Sequence, residues 1–586
     1  MLARLVAWSL SQRLLVALAA CALALAGVVA WRGLPVDAFP DIAPTQVKLI
    51  LKAPGMTPGE VEQRVVVPLE MELLGIPRQT MMRASAKYAL ADITLDFEQG
   101  TDIYWARQQV AERFTAAAGD LPPGLDGGLA PIATPLSDMY MFTIEGEGYS
   151  LAERREVLDW VIRPALRTVP GVADVNALGG RVRTLEVVPD RAALAAAGLG
   201  IDALQAALAS NNSNDGAGRL DEGEESLVVR VTGALVDAAD LEATVVARRD
   251  GQTWRVGDLA SVREGALTRY GVVTRDGQGE AVQGLVVGLR GANASAVVDG
   301  VKARLAELAP SLPPGMQVEP FYDRSELIAR ATGTVSKALV EAMVLVVVLL
   351  LLFLGNVRAA LVVALTLPLS VLTTFLVMRL TGLSANLMSL GGLAIAIGML
   401  VDAAVVVVEN TEEQLAGAQP EDGIPRLHRV WRAAAEVAAP VTSGIAIIAL
   451  VFTPLLTLQG LEGRMFTPVA LTIVFALGAS LLLSLTVVPV LASWLLRSGH
   501  HEPWLMRQLT PRYSRALQAT LAHPRRAILA ALPALVLAVL AWLGIGKTFM
   551  PTLDEGAILV QLEKLPSANL DASGEVDLAV QKAILA

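Results

Sequence analysis

The sequence predicts a polytopic α-helical membrane protein that carries one large extramembrane α+β domain. Three observations predict it: long apolar runs confined to two regions of the chain, an intervening stretch that alternates strand and helix patterns, and positive charge concentrated in every second short loop. The 586 residues are 54% hydrophobic, against about 45–50% apolar residues in an ordinary soluble protein. Mean hydropathy is +0.52. The apolar excess sits near the N-terminus and again after residue 335, while the stretch between has the composition of a soluble domain.

A helix needs about 20 mostly apolar residues to cross a bilayer. The first such run is Leu14–Trp31, preceded by Arg4 and Arg13. A cleaved signal peptide is the alternative there, because Ala22-Leu23-Ala24 and Ala24-Leu25-Ala26 both have the A-x-A form of a cleavage site. Five further runs follow at Leu339–Leu354, Ala360–Met378, Leu387–Val408, Ala438–Leu458 and Pro468–Leu496, and a seventh at Ile528–Ile545. Lys and Arg in short loops set orientation. Arg358 follows the second run, Arg426, Arg429 and Arg432 the fourth, and Arg497, Arg507, Arg512, Arg515, Arg525 and Arg526 the sixth; the opposite turns hold only Arg379 and Arg464. This pattern places the N-terminus in the cytoplasm and the large loop outside the inner membrane. Between the sixth and seventh runs, Trp504–Leu521 reads as an interfacial amphipathic helix, with an ordinary basic loop as the alternative.

The outer loop starts with a strand at Gln46–Lys52 and a helix opened by Thr57-Pro58-Gly59-Glu60, where Thr caps, Pro takes the first turn and Glu returns to the cap. A strand region at Ala86–Phe97 and a helix from Thr101 follow. The order recurs as Tyr140–Ile144, Leu151–Leu166, Val172–Ala177 and Thr184–Val188. Repeated βαβ order with meander strands predicts ferredoxin-like subdomains. Asn211–Glu225, rich in Asn, Gly, Asp and Glu, reads as an exposed arm or loop.

Composition excludes several function classes. A net charge of −10 argues against nucleic-acid binding. The lone Cys21 forms no intrachain disulfide and no CxxC site, and all four histidines (His428, His500, His501, His523) follow residue 420. A metal site in the outer loop must therefore use carboxylates, methionine or backbone. Gly544-Ile545-Gly546-Lys547-Thr548 superficially resembles a P-loop, but Ala541 stands where the first glycine belongs and no strand precedes it. No nucleotide motif or nucleophile–base pair appears, so an ion gradient is the expected energy source.

The fourth run holds the residues of greatest chemical interest. A carboxylate near the middle of an apolar helix, Asp402, costs at least ~2.5–3.5 kcal/mol on insertion scales and marks a functional position. It reads as a proton-relay carboxylate, with a structural polar residue paired to another span as the alternative. Glu409 follows two turns along the same face, near the cytoplasmic mouth. Gly391, Gly392, Ala394, Ala396, Gly398, Ala403 and Ala404 permit close helix approach. The thioethers of Met388 and Met399 suit soft Cu(I) or Ag(I), or simply pack the core. In the outer loop Met81-Met82 and the pair Met139 and Met141 are the available thioethers; the latter alternate on a strand and so share a face.

Several strings resemble the heavy-metal efflux branch of the resistance-nodulation-division (RND) permeases. They are Pro35–Asp41, Gly100-Thr101-Asp102-Ile103-Tyr104-Trp105-Ala106-Arg107, Tyr322–Ile328, Asn386–Gly392, Val401-Asp402-Ala403-Ala404 with Glu409-Asn410, and Leu461-Glu462-Gly463-Arg464-Met465-Phe466. The resemblance implies a homotrimeric proton antiporter of the bacterial inner membrane, exporting metal cations with a periplasmic adaptor (membrane fusion) protein and an outer-membrane channel. No cofactor is implied beyond the transported metal and the proton gradient; membrane lipids are its surroundings. Asp402 falls on the family's proton-relay aspartate.

The resemblance also implies a division of the chain: a first transmembrane helix at 1–32, a periplasmic porter and docking region at 33–335 with the docking subdomain at about 215–265, helices 2–6 at 336–498, a connecting helix at 499–524, helix 7 at 525–546, and the start of a second porter repeat at 547–586. On this division the chain stops inside that repeat, and the relay's partner charges lie beyond Ala586. Zinc/cobalt/cadmium-type pumps carry Asp-Phe-Gly where this chain has Ala396-Ile397-Gly398; that, with Ala403-Ala404, resembles copper/silver pumps and makes copper or silver the expected cargo. The position of a copper/silver-pump methionine after Asp554-Glu555-Gly556 is Gln561 here. A pump for organic compounds shares the architecture but usually has a paired Asp-Asp and a phenylalanine-rich pocket. An RND-like accessory of protein export or lipid sensing is the remaining alternative.

Overall fold

The computed structural model describes residues 1–37, 39–134, 136–249, 251–416, 424–496, 504–546, 558–565 and 567–586. Arg497, His500, His501, Lys547, Thr548 and Asp554-Glu555-Gly556, all singled out in the sequence, lie outside them. The chain divides into two compact units, one of Met1–Ser137, Leu289–Val298 and Asp323–Val560, the other of Asp138–Gly288, Asp299–Tyr322 and Gln561–Ala586.

Among the described residues, the first unit holds seven helices long and apolar enough to cross a membrane: Arg13–Gly33, Arg324–Leu354, Val357–Leu380, Leu387–Ala416, Arg426–Leu456, Gly460–Leu495 and Pro524–Gly544. All seven apolar runs are helical. The second, fifth and sixth helices begin well before their apolar runs. In the second, Asp323 accepts from the Ser325 backbone N–H at 2.8 Å and starts the helix beside Arg324. A short helix at Leu2–Ser11 precedes the first span, and Trp504–Ala522 is helical as expected. The fourth and sixth helices form the centre of the bundle, with Leu393, Ile397, Leu400 and Val407 packed among Ile473, Leu477 and Val488.

Close approach between those two helices depends on one glycine. A Cβ at Gly392 would stand 2.8 Å from the Val469 carbonyl oxygen and 3.1 Å from its Cα, whereas Gly391 and Gly398 face open space. Small residues allow this because van der Waals packing, rather than water exclusion, holds helices together in lipid.

The same unit contains a four-stranded antiparallel sheet. Its strands are Thr45–Lys52, Gln79–Lys87, Leu90–Phe97 and Asp126–Leu129, in the spatial order second, third, first, fourth. Helices at residues 58–73 and at Ile103–Ala117 connect them, giving the β-α-β-β-α-β order of a ferredoxin-like subdomain. Thr57 and Glu60 form the expected capping box, and Asp102 accepts from the Trp105 N–H at 2.8 Å to start the second connecting helix. The strand region expected at Ala86–Phe97 is a hairpin instead, turned at Tyr88-Ala89 with Ala89 at φ +58°. One face of this sheet buries Val47, Leu49, Ile93 and Leu95 against Val61, Val65, Leu69 and Val110.

The second unit repeats that topology with a large insertion. Strands Asp138–Glu145, Val172–Gly179, Val282–Gly288 and Gln317–Asp323 lie in the order fourth, first, third, second, which is the order of the first sheet. The third strand is therefore not Thr184–Val188, as the sequence pattern suggested. Gly179 and Gly180 both adopt φ +69° and turn the chain out of the sheet; Arg183–Pro189 then pairs with Ala260–Ala266. The insertion carries a hairpin, Asn214–Glu222 with Glu225–Thr232, every residue of which is exposed. The segment expected as an arm or loop is thus a paired ribbon. A final helix, Leu570–Leu585, is capped by Asn569, which accepts from the Ala572 N–H at 2.8 Å.

Replacing Gly392 by leucine should lower thermal stability in detergent, by a destabilisation of about 1–3 kcal/mol for an overpacked core site. Gly391→Ala and Gly398→Ala, placed in open space, should leave the melting temperature unchanged or raise it.

Candidate functional site

The fourth membrane helix starts from a buried polar knot. The Asn386 side-chain oxygen accepts from the N–H groups of Met388 and Ser389, both at 3.0 Å, while the Ser389 hydroxyl accepts from the Asn386 N–H at 2.9 Å. That reciprocal cap satisfies donors that would otherwise be orphaned at a helix start. Lower on the helix, the Ser480 hydroxyl donates to the Leu400 carbonyl at 2.6 Å and ties the sixth helix to the fourth just before Asp402.

These contacts fix which face of the helix is covered. Ala396, Ile397, Leu400, Val401, Ala403, Ala404, Val407 and Val408 are buried, while Ile395, Gly398, Asp402, Val406 and Glu409 are exposed at three- and four-residue spacing. Asp402 and Glu409 thus stand on one face, two turns apart, that the other helices of the chain leave open. Among the described residues Asp402 has no hydrogen-bonding or ionic partner. Beyond Glu409 the helix end is polar: the Asn410 amide donates to the Ala433 carbonyl at 2.8 Å and to Glu436 at 3.4 Å, Gln414 donates to Glu436 at 3.4 Å, and Asn356, the cap of the third helix, donates to Glu412.

The candidate methionines are dispersed. Met388 and Met399 are half-buried on the fourth helix, and Met399 packs against the bundle core. Met139 is only 4% exposed; its thioether lies over Gly288, where a Cβ would meet its Cε at 2.3 Å. Tyr140 pairs with Val286 and Asp138 with Val287, so Met139 is the extra residue of a β-bulge. The bulge interrupts the alternation that relates Met139 to Met141, which is half-buried opposite Leu285. Among the described residues no three His, Cys, Asp or Glu side chains cluster as a metal site.

A second polar arrangement escapes sequence reasoning. The segment leaving the first helix is bound on several sides. Val36 bridges to Ala385, with the Asp37 N–H donating to the Ala385 carbonyl at 3.2 Å and the Ala385 N–H to the Pro35 carbonyl at 2.9 Å. Arg324, 6% exposed, donates to Asp37 at 2.8 Å and to the Leu136 carbonyl at 2.6 Å. Arg290 donates to Asp41 at 2.6 Å and to the Ala43 carbonyl at 2.9 Å, and Arg464 also reaches that carbonyl. Three arginines from distant segments therefore clasp one short linker; the sequence signal was the presence of Asp37, Asp41, Arg324 and Arg464 in strings that stood out for their resemblance.

Comparison with known proteins places this arrangement. Residues 5–586 match the AcrB/AcrD/AcrF family. The chain belongs to that family, the RND permeases. Among curated relatives, the cobalt-zinc-cadmium resistance protein CzcA of Cupriavidus metallidurans is 38% identical over 602 residues, covering 100% of the chain and 56% of the relative. The cation efflux system protein CusA of Escherichia coli K12 is 34% identical over 571 residues, covering 95% of the chain and 54% of the relative. A crystal structure of a heavy metal efflux pump superposes with a TM-score of 0.86 at 33% identity, over 99% of the chain and 56% of that structure. The chain spans about half the length of the curated relatives it matches. The RND permease fold, membrane helices with strand-containing outer subdomains, is the fold class expected from the sequence.

Within this permease fold the linker clasp should be structural rather than incidental. Arg324→Ala removes the arginine from a partly exposed Asp37 and should destabilise by about 1–3 kcal/mol, between an exposed and a buried pair. Asp37→Asn, which keeps an acceptor for Arg324, should cost less. Thermal unfolding of the two variants in the same detergent checks the order.

Proposed function

We propose that the protein acts in an inner-membrane efflux pump that exports heavy-metal cations in exchange for protons. The observation that carries this reading is Asp402, a carboxylate in the middle of an apolar helix, standing on the face that the chain's other membrane helices leave uncovered. A charged carboxylate there favours a cationic or strongly polar neighbour, and a protonated one favours apolar packing. Uptake and release of one proton thus changes what can pack against this face. A charge moved across the membrane is worth about 2.3 kcal/mol per 100 mV, enough for repeated protonation to bias two packings of the helices. Glu409, two turns along and near the helix end, is suited to pass the proton between Asp402 and water.

Heavy-metal cargo is supported by the relatives' names, cobalt–zinc–cadmium resistance at 38% identity among them. The copper or silver preference suggested by Ala396-Ile397-Gly398 and Ala403-Ala404 finds no support: CusA, at 34%, is less similar than the cobalt–zinc–cadmium protein. Nor do Met139 and Met399, each packed against apolar neighbours, suggest a sulfur-lined route. Cobalt, zinc and cadmium are accordingly the first cargoes to test. The pump works as a homotrimer with a periplasmic adaptor and an outer-membrane channel; the exposed hairpin 214–232 offers unpaired edges for such contacts. The N-terminus is cytoplasmic and the strand-rich subdomains are periplasmic, following the arginine-rich loops.

Metal retained by an efflux-deficient host expressing the gene, with its adaptor and channel, tests the reading. Retained zinc, cobalt or cadmium should fall with the wild-type gene and return to the level of the empty host with Asp402→Asn. Glu409→Gln should lose part of the effect, and Met388→Leu, Met399→Leu, Met139→Leu and Met141→Leu should leave divalent export intact. Unchanged retention of all metals, with organic compounds expelled instead, would overturn the proposal.

A further inference from the structure

A cleft in the first unit brings together three of the distinctive sequence strings that the proton-relay reading does not use. It has a volume of about 340 Å³ and is lined by Asp41, Thr101, Asp102, Arg290 and Arg464, among others. Asp41 comes from the string after the first helix, Thr101 and Asp102 from the string that starts the helix Ile103–Ala117, and Arg464 from the start of the sixth membrane helix.

Two arginines and two aspartates line the cleft, but their charges are not equally engaged. Asp41 is held by Arg290 at 2.6 Å. Asp102 caps its helix through the Trp105 N–H at 2.8 Å. Arg290 also donates to the carbonyls of Ala43 and Pro44, at 2.9 and 3.3 Å. Arg464, by contrast, forms no ion pair among the described residues; its hydrogen-bond partner is the neutral Ala43 carbonyl. It lies within electrostatic reach of Arg290 as well as Asp41, so one guanidinium is left short of negative charge.

A second, independent signal comes from the lining of the same cleft. Thr101 is only 6% exposed, and its hydroxyl oxygen has no hydrogen-bond partner. The Thr101 carbonyl is satisfied by the Thr45 hydroxyl at 3.2 Å, so the orphan is the side chain alone. A buried hydroxyl without a partner is uncommon and calls for an explanation. Neither guanidinium can ligate a metal cation, and of the two carboxylates Asp41 is already paired with Arg290. A group with several oxygens on one charged centre satisfies both deficits together, pairing with the planar guanidinium fork while another oxygen accepts from the hydroxyl.

We propose that this cleft binds a phosphate-type oxyanion, with Arg464 as its ion-pairing group and the Thr101 hydroxyl as a neutral donor. The phosphate is carried by a phospholipid headgroup or is free in solution; the chemistry of recognition is shared. Arg464 lies near the start of a helix long and apolar enough to cross a membrane, four residues before its apolar run begins at Pro468, which is where a bilayer's headgroup layer would meet it. The site is independent of the transport reading, since binding is measured without transport.

The test uses the full chain purified in a phosphorus-free detergent. Dihexanoyl phosphatidylglycerol and inorganic phosphate are titrated separately, with binding followed by calorimetry and by the shift in melting temperature. The wild-type chain should bind one of them, with affinity falling at least tenfold in Arg464→Ala, less in Arg464→Lys, and several-fold in Thr101→Val. Displacement of the lipid by inorganic phosphate at similar concentration identifies a free-anion site, and binding of the lipid alone identifies a headgroup site. The near-isosteric Thr101→Val variant guards against a misfolded Arg464→Ala, with unliganded melting temperatures as the control. Equal binding by wild type and all three variants, or no binding of either probe to the wild type, overturns the proposal.

Discussion

The place of Asp402 in the membrane bundle is set by the contact between the fourth and sixth helices. In lipid there is no water to expel from between helices, so their association rests on close packing and on hydrogen bonds across the seam. Gly392 against the Val469 backbone and Ser480 against the Leu400 carbonyl supply one of each. Together they fix both the separation of the two helices and the rotation of the fourth about its axis. Successive residues of an α-helix differ by about 100° in direction, so a slip of one residue would carry Asp402 into the layer of Ile397, Leu400 and Val407. The carboxylate is usable because the packing partner lies on the other side.

The same geometry explains what was legible in the sequence. Helix starts at Thr57 and Asp102 could be read because a cap and its acceptor lie within a few residues of each other. The membrane runs could be read because lipid imposes a length and a composition on every span. The first strand and the ferredoxin-like order were visible from local alternation. What failed was non-local: Thr184–Val188 has a strand's pattern, but its partner is Ala260–Ala266, and no local rule selects a partner so far along the chain. At the candidate site, Asp402 stood out in the sequence by its apolar surroundings, while the face it occupies did not, because that depends on which helix packs against Gly392.

The clasp on the linker after the first helix belongs to the illegible class for the same reason. Arg324 and Arg464 fall in strings that stand out in the sequence and Arg290 does not, but what all three do shows only where Asp37, Asp41 and Ala43 meet them. Each arginine arrives from a different element: a turn after a strand, the start of the second membrane helix and the start of the sixth. Burial raises the cost of leaving any of these groups unpaired, so the linker acts as a common anchor for elements that are remote in sequence. Short polar segments of this kind hold a membrane bundle to its outer subdomain where apolar packing ends.

The insertion in the second ferredoxin-like subdomain leaves the sheet after Gly179 and returns at Val282, and these two residues are direct cross-strand partners. About a hundred residues therefore leave and rejoin the sheet at one rung of the ladder, with Arg275 reaching back to Thr143, Glu145 and Glu319, and the entropy of closing such a loop grows only with the logarithm of its length. The four-stranded sheet and its appended module are in this sense separable parts. The module can be lengthened, trimmed or exchanged without shifting the register of a single strand beneath it, so its surface can diversify while the framework that holds it stays the same.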